Sequence, residues 1–268
     1  MIPFYKVQAS GNDFIVFDSR AVRLSRLTSS VIRFLCHRHL GIGADGLIFI
    51  EITSGENLRM HYFNADGSEG EMCGNGLRAA ARYARNQHLF ASRSPLLLAA
   101  RDGLHEIVFN KDQSISVEIL IRSDQEDYPD LRGISVPDDL NILGYYNSGV
   151  PHLVLETTKP IEKIPLLAFA PSLRHYAGFK NGANINVIRQ LSHTRIQVRT
   201  YERGVEAETL SCGTGVTASA MLLWQKNPQL PSQLEMETKG GILKVSRQKG
   251  RIILTGPATL VFVGKIDF

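Results

Sequence analysis

Two of the three cysteines in this chain occur in closely similar segments. Residues 72–79 read MCGNGLRA and residues 211–218 read SCGTGVTA, so each contains Cys-Gly-x-Gly, an aliphatic residue, one further residue and Ala. Cys73 and Cys212 are 139 positions apart in a chain of 268 residues. A repeat at about half the chain length predicts two similar halves.

The position of each cysteine, just ahead of a predicted helix, indicates the chemistry it could perform. Unpaired backbone N–H groups and the positive end of a helix dipole favour a thiolate over a thiol. The glycines let a ligand approach the backbone, so a carboxylate could bind at the same helix starts. Two such sites on one substrate would place a sulfur on either side of its α-carbon. One thiolate could then remove the α-proton while the opposite thiol protonates the other face.

The same helix starts would stabilise the charge that develops on the carboxylate as the proton leaves. We therefore expect no cofactor and no metal. A lone cysteine is more often a small buried hydrophobic residue. Cys36 fits that role, because Ile32 and Leu35 would share its face of the first predicted helix.

Short segments rich in Val and Ile, separated by Gly, Asn and Asp, predict many strands. We expect strands at 14–17, 47–51, 115–121, 152–156, 185–188, 196–201, 243–246 and 252–254. Helices are predicted at about 24–39, 76–88 and 217–226. Many strands with few helices favour an α+β fold over a repeating βαβ pattern.

Composition excludes several classes of partner. The net charge is +4, but no run of Lys and Arg is interleaved with aromatic residues, so no nucleic acid is indicated. The longest aliphatic run, Leu96–Ala100, is too short to span a bilayer, and no signal peptide is visible. An odd number of widely spaced cysteines argues against a disulfide framework. We expect a cytoplasmic protein with reduced thiols and no membrane partner.

Two further patterns have ordinary interpretations. Residues 41–46 read GIGADG, but they follow a predicted helix and precede a strand, which is the reverse of the dinucleotide-binding arrangement. Arg78, Arg82 and Arg85 recur at helical spacing, which is usual for a solvated helix face.

Together with the two cysteine segments, several motifs resemble the diaminopimelate epimerase family. In chain order they are SGNDF at 10–14, RHLGIGADG at 38–46, FNADGSE at 63–69, GVPH at 149–152, ANI at 183–185, YERG at 201–204 and TGPA at 255–258. The motifs occur in family order and cover nearly the whole chain. The set is therefore specific, although no single piece of it is.

The resemblance implies two pseudo-symmetric α+β domains, each with mixed or antiparallel strands wrapped around a central helix. It also implies an active site in the interdomain cleft. We expect the first domain to cover residues 1–119, completed by the last strand at 257–268, and the second to cover residues 120–256.

The resemblance also implies residue roles. Cys73 and Cys212 would be the acid/base pair, and His152 and Glu202 would set the protonation of Cys73 and Cys212 respectively. The backbone N–H groups that bind the reacting carboxylate would belong to Gly74, Asn75, Gly213 and Thr214. The residues that recognise the distal amino-acid end would be Asn12, Asn64, Asn184, Glu202 and Arg203. An Arg fork matches a carboxylate, and Glu and Asn accept hydrogen bonds from an ammonium group.

Two positions depart from the family pattern. Many members carry Gln at the position of Gly46 and Asn at the position of Val150. The resulting less polar pocket predicts tolerance of other amino acids, such as glutamate.

The main interpretation is a cofactor-independent isomerase that interconverts LL- and meso-diaminopimelate in lysine and peptidoglycan-precursor biosynthesis. A homodimer is a further expectation from the resemblance.

One alternative is a two-cysteine racemase of proline or glutamate, or an epimerase of relaxed specificity. A second is a cysteine hydrolase that uses Cys73 with His152, which would leave Cys212 without a purpose. A third is a non-enzymatic protein that kept the fold, against which the intact cysteine pair argues.

Overall fold

The structure, a computed structural model, describes residues 1–53, 58–90, 95–121 and 128–268. The chain divides into two compact units. The first contains residues 1–118 and 255–268, and the second contains residues 119–254.

The first unit alternates pairs of strands with helices. Its elements are β1 (Ile2–Ala9), β2 (Asn12–Asp18), α1 (Ser29–Cys36), β3 (Gly46–Ile52), β4 (Leu58–Asn64), α2 (Gly74–Asn86), β5 (Leu96–Ala100), β6 (Gly103–Phe109) and β7 (Ile115–Ile119). The last strand of the chain, which is β16 (Thr259–Ile266), pairs antiparallel with β1. A short 3-10 turn, Leu24–Arg26, precedes α1.

The second unit repeats this order. Its elements are β8 (Asn141–Asn147), β9 (Pro151–Glu156), α3 (Leu166–Arg174), β10 (Asn184–Gln190), β11 (Arg195–Glu202), β12 (Ala207–Thr209), α4 (Gly213–Lys226), β13 (Gln233–Thr238), β14 (Gly241–Gln248) and β15 (Arg251–Gly256). The short β12 pairs only with β11 among the described strands.

Strand pairing in the two units corresponds from β1 to β7 and from β8 to β15 with β12 left aside, and β16 is an additional strand of the first unit. The first unit has the order β16-β1-β2-β3-β4-β5-β6-β7, and the second has β8-β9-β10-β11-β13-β14-β15. The parallel pairs are β2 with β3 and β4 with β5 in one unit, and β9 with β10 and β11 with β13 in the other. The repeat around the cysteines therefore reflects a repeat of the whole α–β arrangement. The prediction of an α+β fold is confirmed.

A buried helix lies at the centre of each unit. Helix α2 is buried over most of its length and contacts β1 to β5 and β16, while α4 contacts β8, β9, β10 and β14. Small residues make this burial on several sides feasible. Ala79, Ala80, Ala81 and Ala84 let strands approach α2 closely, and alanine has the highest intrinsic helix propensity.

Helix boundaries differ from the sequence-based expectations. The first helix was predicted over 24–39 but covers only Ser29–Cys36, because Thr28 caps its start and His37 is extended. Both cysteine-led helices begin earlier than predicted, at Gly74 and Gly213, because the cysteines themselves are the N-caps. Helix α3 was not predicted. No helix in the described ranges is both long and apolar enough to cross a membrane.

Candidate active site

Each cysteine occupies the N-cap of a central helix. The Cys73 Sγ accepts a hydrogen bond from the Gly76 backbone N–H at 3.2 Å, and the Cys212 Sγ accepts one from Gly215 at 3.4 Å. Cys73 is partly buried and Cys212 is 6% exposed. The Thr214 hydroxyl lies 3.3 Å from the Cys212 Sγ. Both sulfurs therefore lie among the unpaired N–H groups of a helix start, where negative charge is stabilised.

Strand register in the first unit gathers three predicted positions at one sheet edge. Asn12 begins β2, Gly46 begins β3 and Asn64 ends β4. Strands β2 and β3 are parallel with Phe14 opposite Gly46, and β3 and β4 are antiparallel with Gly46 opposite Asn64. These strand ends consequently lie side by side. The chain reaches Cys73 and α2 directly after this edge.

The second unit builds its edge in the same way. His152 lies near the start of β9, Asn184 begins β10 and Glu202 ends β11. His152 is opposite Asn184 in the parallel pair, and β11 returns antiparallel to β10. The segment after Glu202 leads through β12 to Cys212 and α4.

A chain of side-chain amides connects Arg78 with Asp45. Arg78 donates to the Asn75 Oδ1 at 2.6 Å, and the Asn75 Nδ2 donates to the Asn12 Oδ1 at 3.3 Å. The Asn12 Nδ2 in turn donates to an Asp45 carboxylate oxygen at 2.8 Å. A guanidinium can only donate and a carboxylate can only accept, so the two ends fix the orientation of both amides.

The position of Arg78 overturns one prediction. Arg78 was expected on a solvated helix face with Arg82 and Arg85, but it is 0% exposed. Arg82 is partly buried and donates to the Ala258 carbonyl at 2.8 Å. Arg85 alone of the three is exposed, and its guanidinium lies over the Phe109 ring. Helix α2 is central to its unit, so equal spacing along the helix does not place the three side chains in equal surroundings.

A second polar network fixes the tautomer of His152. The Arg203 backbone N–H donates to the Asn184 Oδ1 at 2.6 Å, so the Asn184 Nδ2 faces the His152 Nε2 at 3.4 Å. The Nε2 atom must then present its lone pair, and the proton resides on Nδ1. That Nδ1–H donates to the Asn186 Oδ1 at 2.9 Å. Because a backbone N–H can only donate, every orientation in the network follows from it.

Burial keeps the His152 imidazole neutral. Desolvation lowers the pKa of His152 to about 4, with a further lowering by the Arg203 charge, and the hydrogen bond to Asn186 opposes both only in part. At neutral pH this side chain is therefore an acceptor at Nε2.

Sequence reasoning did not identify Asn186. This side chain is fully buried, and its Nδ2 has no hydrogen-bond partner within the described ranges. The amide packs against the first turn of α4, where a Cβ added to Gly215 would lie 2.5 Å from the Asn186 Nδ2. Its only sequence signal is a polar residue two positions after Asn184, on the same face of a strand otherwise rich in Ile and Val.

The remaining predicted polar residues have local partners. The Glu202 carboxylate accepts from the Thr209 hydroxyl, which ties β11 to β12. The Arg203 Nη1 donates to the Asn181 carbonyl at 3.2 Å, and the Asn64 Nδ2 donates to the Ser68 Oγ at 3.0 Å. Across the described ranges, no group of three or more His, Cys, Asp or Glu side chains is arranged to hold a metal ion.

Packing provides a physical reason for Gly46. A Cβ at this position would lie 2.6 Å from the Phe63 carbonyl oxygen and 2.7 Å from the Tyr62 ring. A longer side chain therefore requires Tyr62 and the β4 backbone to move. Val150, the other position that departs from the resemblance, is 9% exposed.

Comparison with known proteins gives consistent matches. The family model described as diaminopimelate epimerase matches residues 4–119 and 144–261. A diaminopimelate epimerase of Methanothrix thermoacetophila is 36% identical over 275 residues, covering 99% of this chain and 96% of the relative. One from Flavobacterium psychrophilum is 34% identical over 264 residues, covering 96% of this chain and 97% of the relative.

Solved structures extend the comparison to the fold. A hydroxyproline epimerase from Agrobacterium vitis, 12% identical, superposes with a TM-score of 0.72 and covers 98% of this chain and 91% of its own. At that identity the likeness shows a shared fold.

Proposed function

The chain belongs to the diaminopimelate epimerase family, and on that premise we propose that it interconverts LL- and meso-diaminopimelate by a two-base reaction without a cofactor. Membership also confirms the prediction of an isomerase. The observation that carries the proposed mechanism is the pair of thiols capping α2 and α4, each accepting a hydrogen bond from the first turn of its helix. The reaction would serve lysine and peptidoglycan-precursor biosynthesis.

The proposed reaction transfers one proton at each face of a single α-carbon. A thiolate removes the α-proton, so the C–H bond breaks, an S–H bond forms and the electron pair delocalises toward the carboxylate. The opposite thiol donates its proton to the other face and becomes the thiolate. Backbone N–H groups of Gly74, Asn75, Gly213 and Thr214 stabilise the carboxylate while charge develops on it.

His152 and Glu202 are proposed to set the protonation of the thiols, His152 for Cys73 and Glu202 for Cys212. The neutral Nδ1–H tautomer supports this role for His152, because it leaves Nε2 as an uncharged hydrogen-bond acceptor. The Glu202 carboxylate lies on the strand that leads toward Cys212 and is held by the Thr209 hydroxyl.

Recognition of the distal amino-acid end is proposed for Asn12, Asn64, Asn184, Glu202 and Arg203. Support comes from their positions at the sheet edges that precede the two cysteines. A cytoplasmic location and a homodimer remain predictions.

The test is an epimerisation assay on reduced protein freed of pyridoxal phosphate. We expect LL-diaminopimelate to yield the meso isomer, measured by chiral chromatography. Cys73→Ser and Cys212→Ser should each lower the rate by roughly 10² to 10⁴, the usual contribution of a positioned acid or base. Equal rates in wild type and both variants would contradict the two-base mechanism.

Alternative substrates belong in the same assay. Inversion of proline or glutamate without any conversion of diaminopimelate would favour a two-cysteine racemase of another amino acid. Inversion of glutamate alongside diaminopimelate would support relaxed specificity, and its absence would end that idea. An acyl-enzyme adduct trapped on Cys73, with no inversion, would favour the hydrolase.

A further inference from the structure

Arg78 is a fully buried cation that has no role in the reaction proposed above. Its guanidinium lies beneath the first turn of α2. In the described part of the chain its hydrogen-bond partners are the Asn75 Oδ1 at 2.6 Å, the Gly74 carbonyl at 3.3 Å, the Ser10 hydroxyl at 3.4 Å and the Pro257 carbonyl at 3.5 Å. All four partners are neutral.

A buried guanidinium normally has an anionic partner, because an isolated charge in the interior is costly. No Asp or Glu within the described ranges forms an ion pair with Arg78. Its guanidinium contacts Gly74 and Asn75, the two residues that directly follow Cys73. Burial lowers the pKa of Arg78 to about 10, and the charge of the Cys73 thiolate opposes that lowering. The amide chain that begins at Arg78 ends at the Asp45 carboxylate, with the Asn75 and Asn12 side chains in between. That carboxylate forms an ion pair with Arg38 at 2.7 Å.

The other half of the repeat provides an internal comparison. Thr217 occupies the position in α4 that Arg78 occupies in α2, five residues after the cysteine. The Thr217 hydroxyl donates to the Gly213 carbonyl at 2.8 Å, as the Arg78 Nη1 donates to the Gly74 carbonyl. The two helix starts thus share a capped cysteine and the same contact to the first helical carbonyl, but only one has a buried positive charge.

We propose that Arg78 is a positioning residue that stabilises the Cys73 thiolate, so that Cys73 is the resting base and Cys212 the resting acid. This inference rests on the proposed function, in which both thiols exchange protons with substrate. In a water-poor interior a single charge is only weakly screened, so one guanidinium suffices to make two similar thiols unequal. The groups that approach Arg78 from the β1–β2 turn and from the segment after β15, Ser10 and the Pro257 carbonyl, are neutral and do not oppose the effect.

The test is the pH dependence of iodoacetamide alkylation, with the modified peptide identified by mass spectrometry. Cys73 is followed in Cys212→Ser and Cys212 in Cys73→Ser. Burial raises the pKa of Cys36 to about 12, so this third thiol does not interfere. The half-maximal rate of Cys73 should lie at a lower pH than that of Cys212.

Variants at position 78 test the cause of the difference. Arg78→Met should raise the half-maximal pH of Cys73 by about one unit or more, the usual effect of losing a nearby opposite charge. Arg78→Lys, which retains the charge, should keep the half-maximal pH of Cys73 close to its wild-type value. Thr217→Val is the matched control and should leave the half-maximal pH of Cys212 unchanged.

Two results would overturn the inference. One is an unchanged half-maximal pH for Cys73 in folded Arg78→Met protein. The other needs no variant at position 78: a half-maximal pH for Cys73 equal to or above that of Cys212. Alkylation requires no substrate, so failure of diaminopimelate turnover with the predicted shifts intact would count against the proposed function and not against the role of Arg78.

Discussion

Two buried histidines respond to their surroundings in opposite directions. Burial lowers the pKa of His152 to about 4, and its neutral partners do not reverse the effect. Burial also lowers the pKa of His105, but hydrogen bonds to Asp102 and to the Glu118 carbonyl outweigh it, so the net pKa is raised. The anionic partner of His105 thus outweighs the effect of burial, whereas the hydrogen-bond partners of His152 are neutral amides.

The His152 shift predicts acid sensitivity. Between the unfolded pKa of 6.5 and the folded value of about 4, only the unfolded state binds the proton, so stability is lost as the pH falls through this window. The loss approaches about 3 kcal/mol at the acid end. Urea unfolding of wild type and His152→Asn at about pH 8 and about pH 5 measures this loss of stability. On acidification the free energy of unfolding should fall less in the variant than in wild type.

His105→Asn is the matched control with the opposite sign. A raised folded pKa contributes stability that is present below the unfolded pKa and is lost as the pH rises through the folded pKa. Removing His105 should therefore make the loss on acidification larger than in wild type. Identical pH dependence in His152→Asn and wild type would show that His152 is not held neutral in the folded protein.

The sequence located two cysteines at helix starts, but it did not indicate which polar residues are buried around them. Cys73 and Cys212 were identified because a repeated motif before a helix is a local signal. Arg78 and Asn186 were not, because their importance depends on burial by distant strands, which local spacing does not encode. Arg78 even carried a misleading signal, since its spacing with Arg82 indicates a solvated face.

At the scale of elements, the two cysteine-capped helices share a motif but not the packing around it. Gly76 and Gly215 occupy the same helical position. A Cβ on Gly76 would lie 3.3 Å from the Cys73 Cβ and Sγ, whereas one on Gly215 would lie 2.5 Å from the Asn186 Nδ2 and 3.1 Å from the Thr200 hydroxyl. The start of α4 is therefore packed more tightly against its sheet than the start of α2.

The difference predicts unequal effects of the same substitution. Alanine in place of a helical glycine gains about 1 kcal/mol of helix propensity, while overpacking a buried site costs about 1 to 3 kcal/mol. Gly76→Ala should leave the free energy of unfolding nearly unchanged, because its contacts are only slightly short. Gly215→Ala should lower it by about 1 kcal/mol or more, because the buried Asn186 amide must shift. Urea unfolding at neutral pH measures the free energy of unfolding of both variants. Equal values for the two would contradict the difference in packing.

Element boundaries were predicted least well where local and tertiary signals compete. The helix expected over 24–39 ends early because His37 is extended. Helix α3 was overlooked because Pro171 within it is locally unfavourable to a helix. Burial of Leu166, Ala170 and Leu173 in the hydrophobic core of the second unit stabilises the helix nevertheless. Strands β2 and β10 were predicted from their Val and Ile content, and the structure has both.

At the scale of the whole molecule, one arrangement of strands and helices occurs twice in the chain with different chemistry at corresponding positions. In the first unit, Arg78 and an amide chain that ends at Asp45 adjoin the first turn of the cysteine-capped helix. The second places a neutral imidazole and the Asn184–Asn186 pair on the strands beneath its helix. Repetition thus accounts for two similar cysteine-capped helices, and the buried side chains around them differ between the repeats.

The most direct test of a two-thiol epimerisation is α-proton exchange in D₂O, followed by NMR. Reduced wild-type protein should replace the α-proton of LL-diaminopimelate with deuterium as the meso isomer forms. Cys73→Ser and Cys212→Ser, which keep a helix-capping side chain, should remain folded and invert the centre at least about 10²-fold more slowly. Inversion at the wild-type rate in either variant, or no exchange at all in folded wild type, would contradict the assignment of the two thiols as the acid and the base.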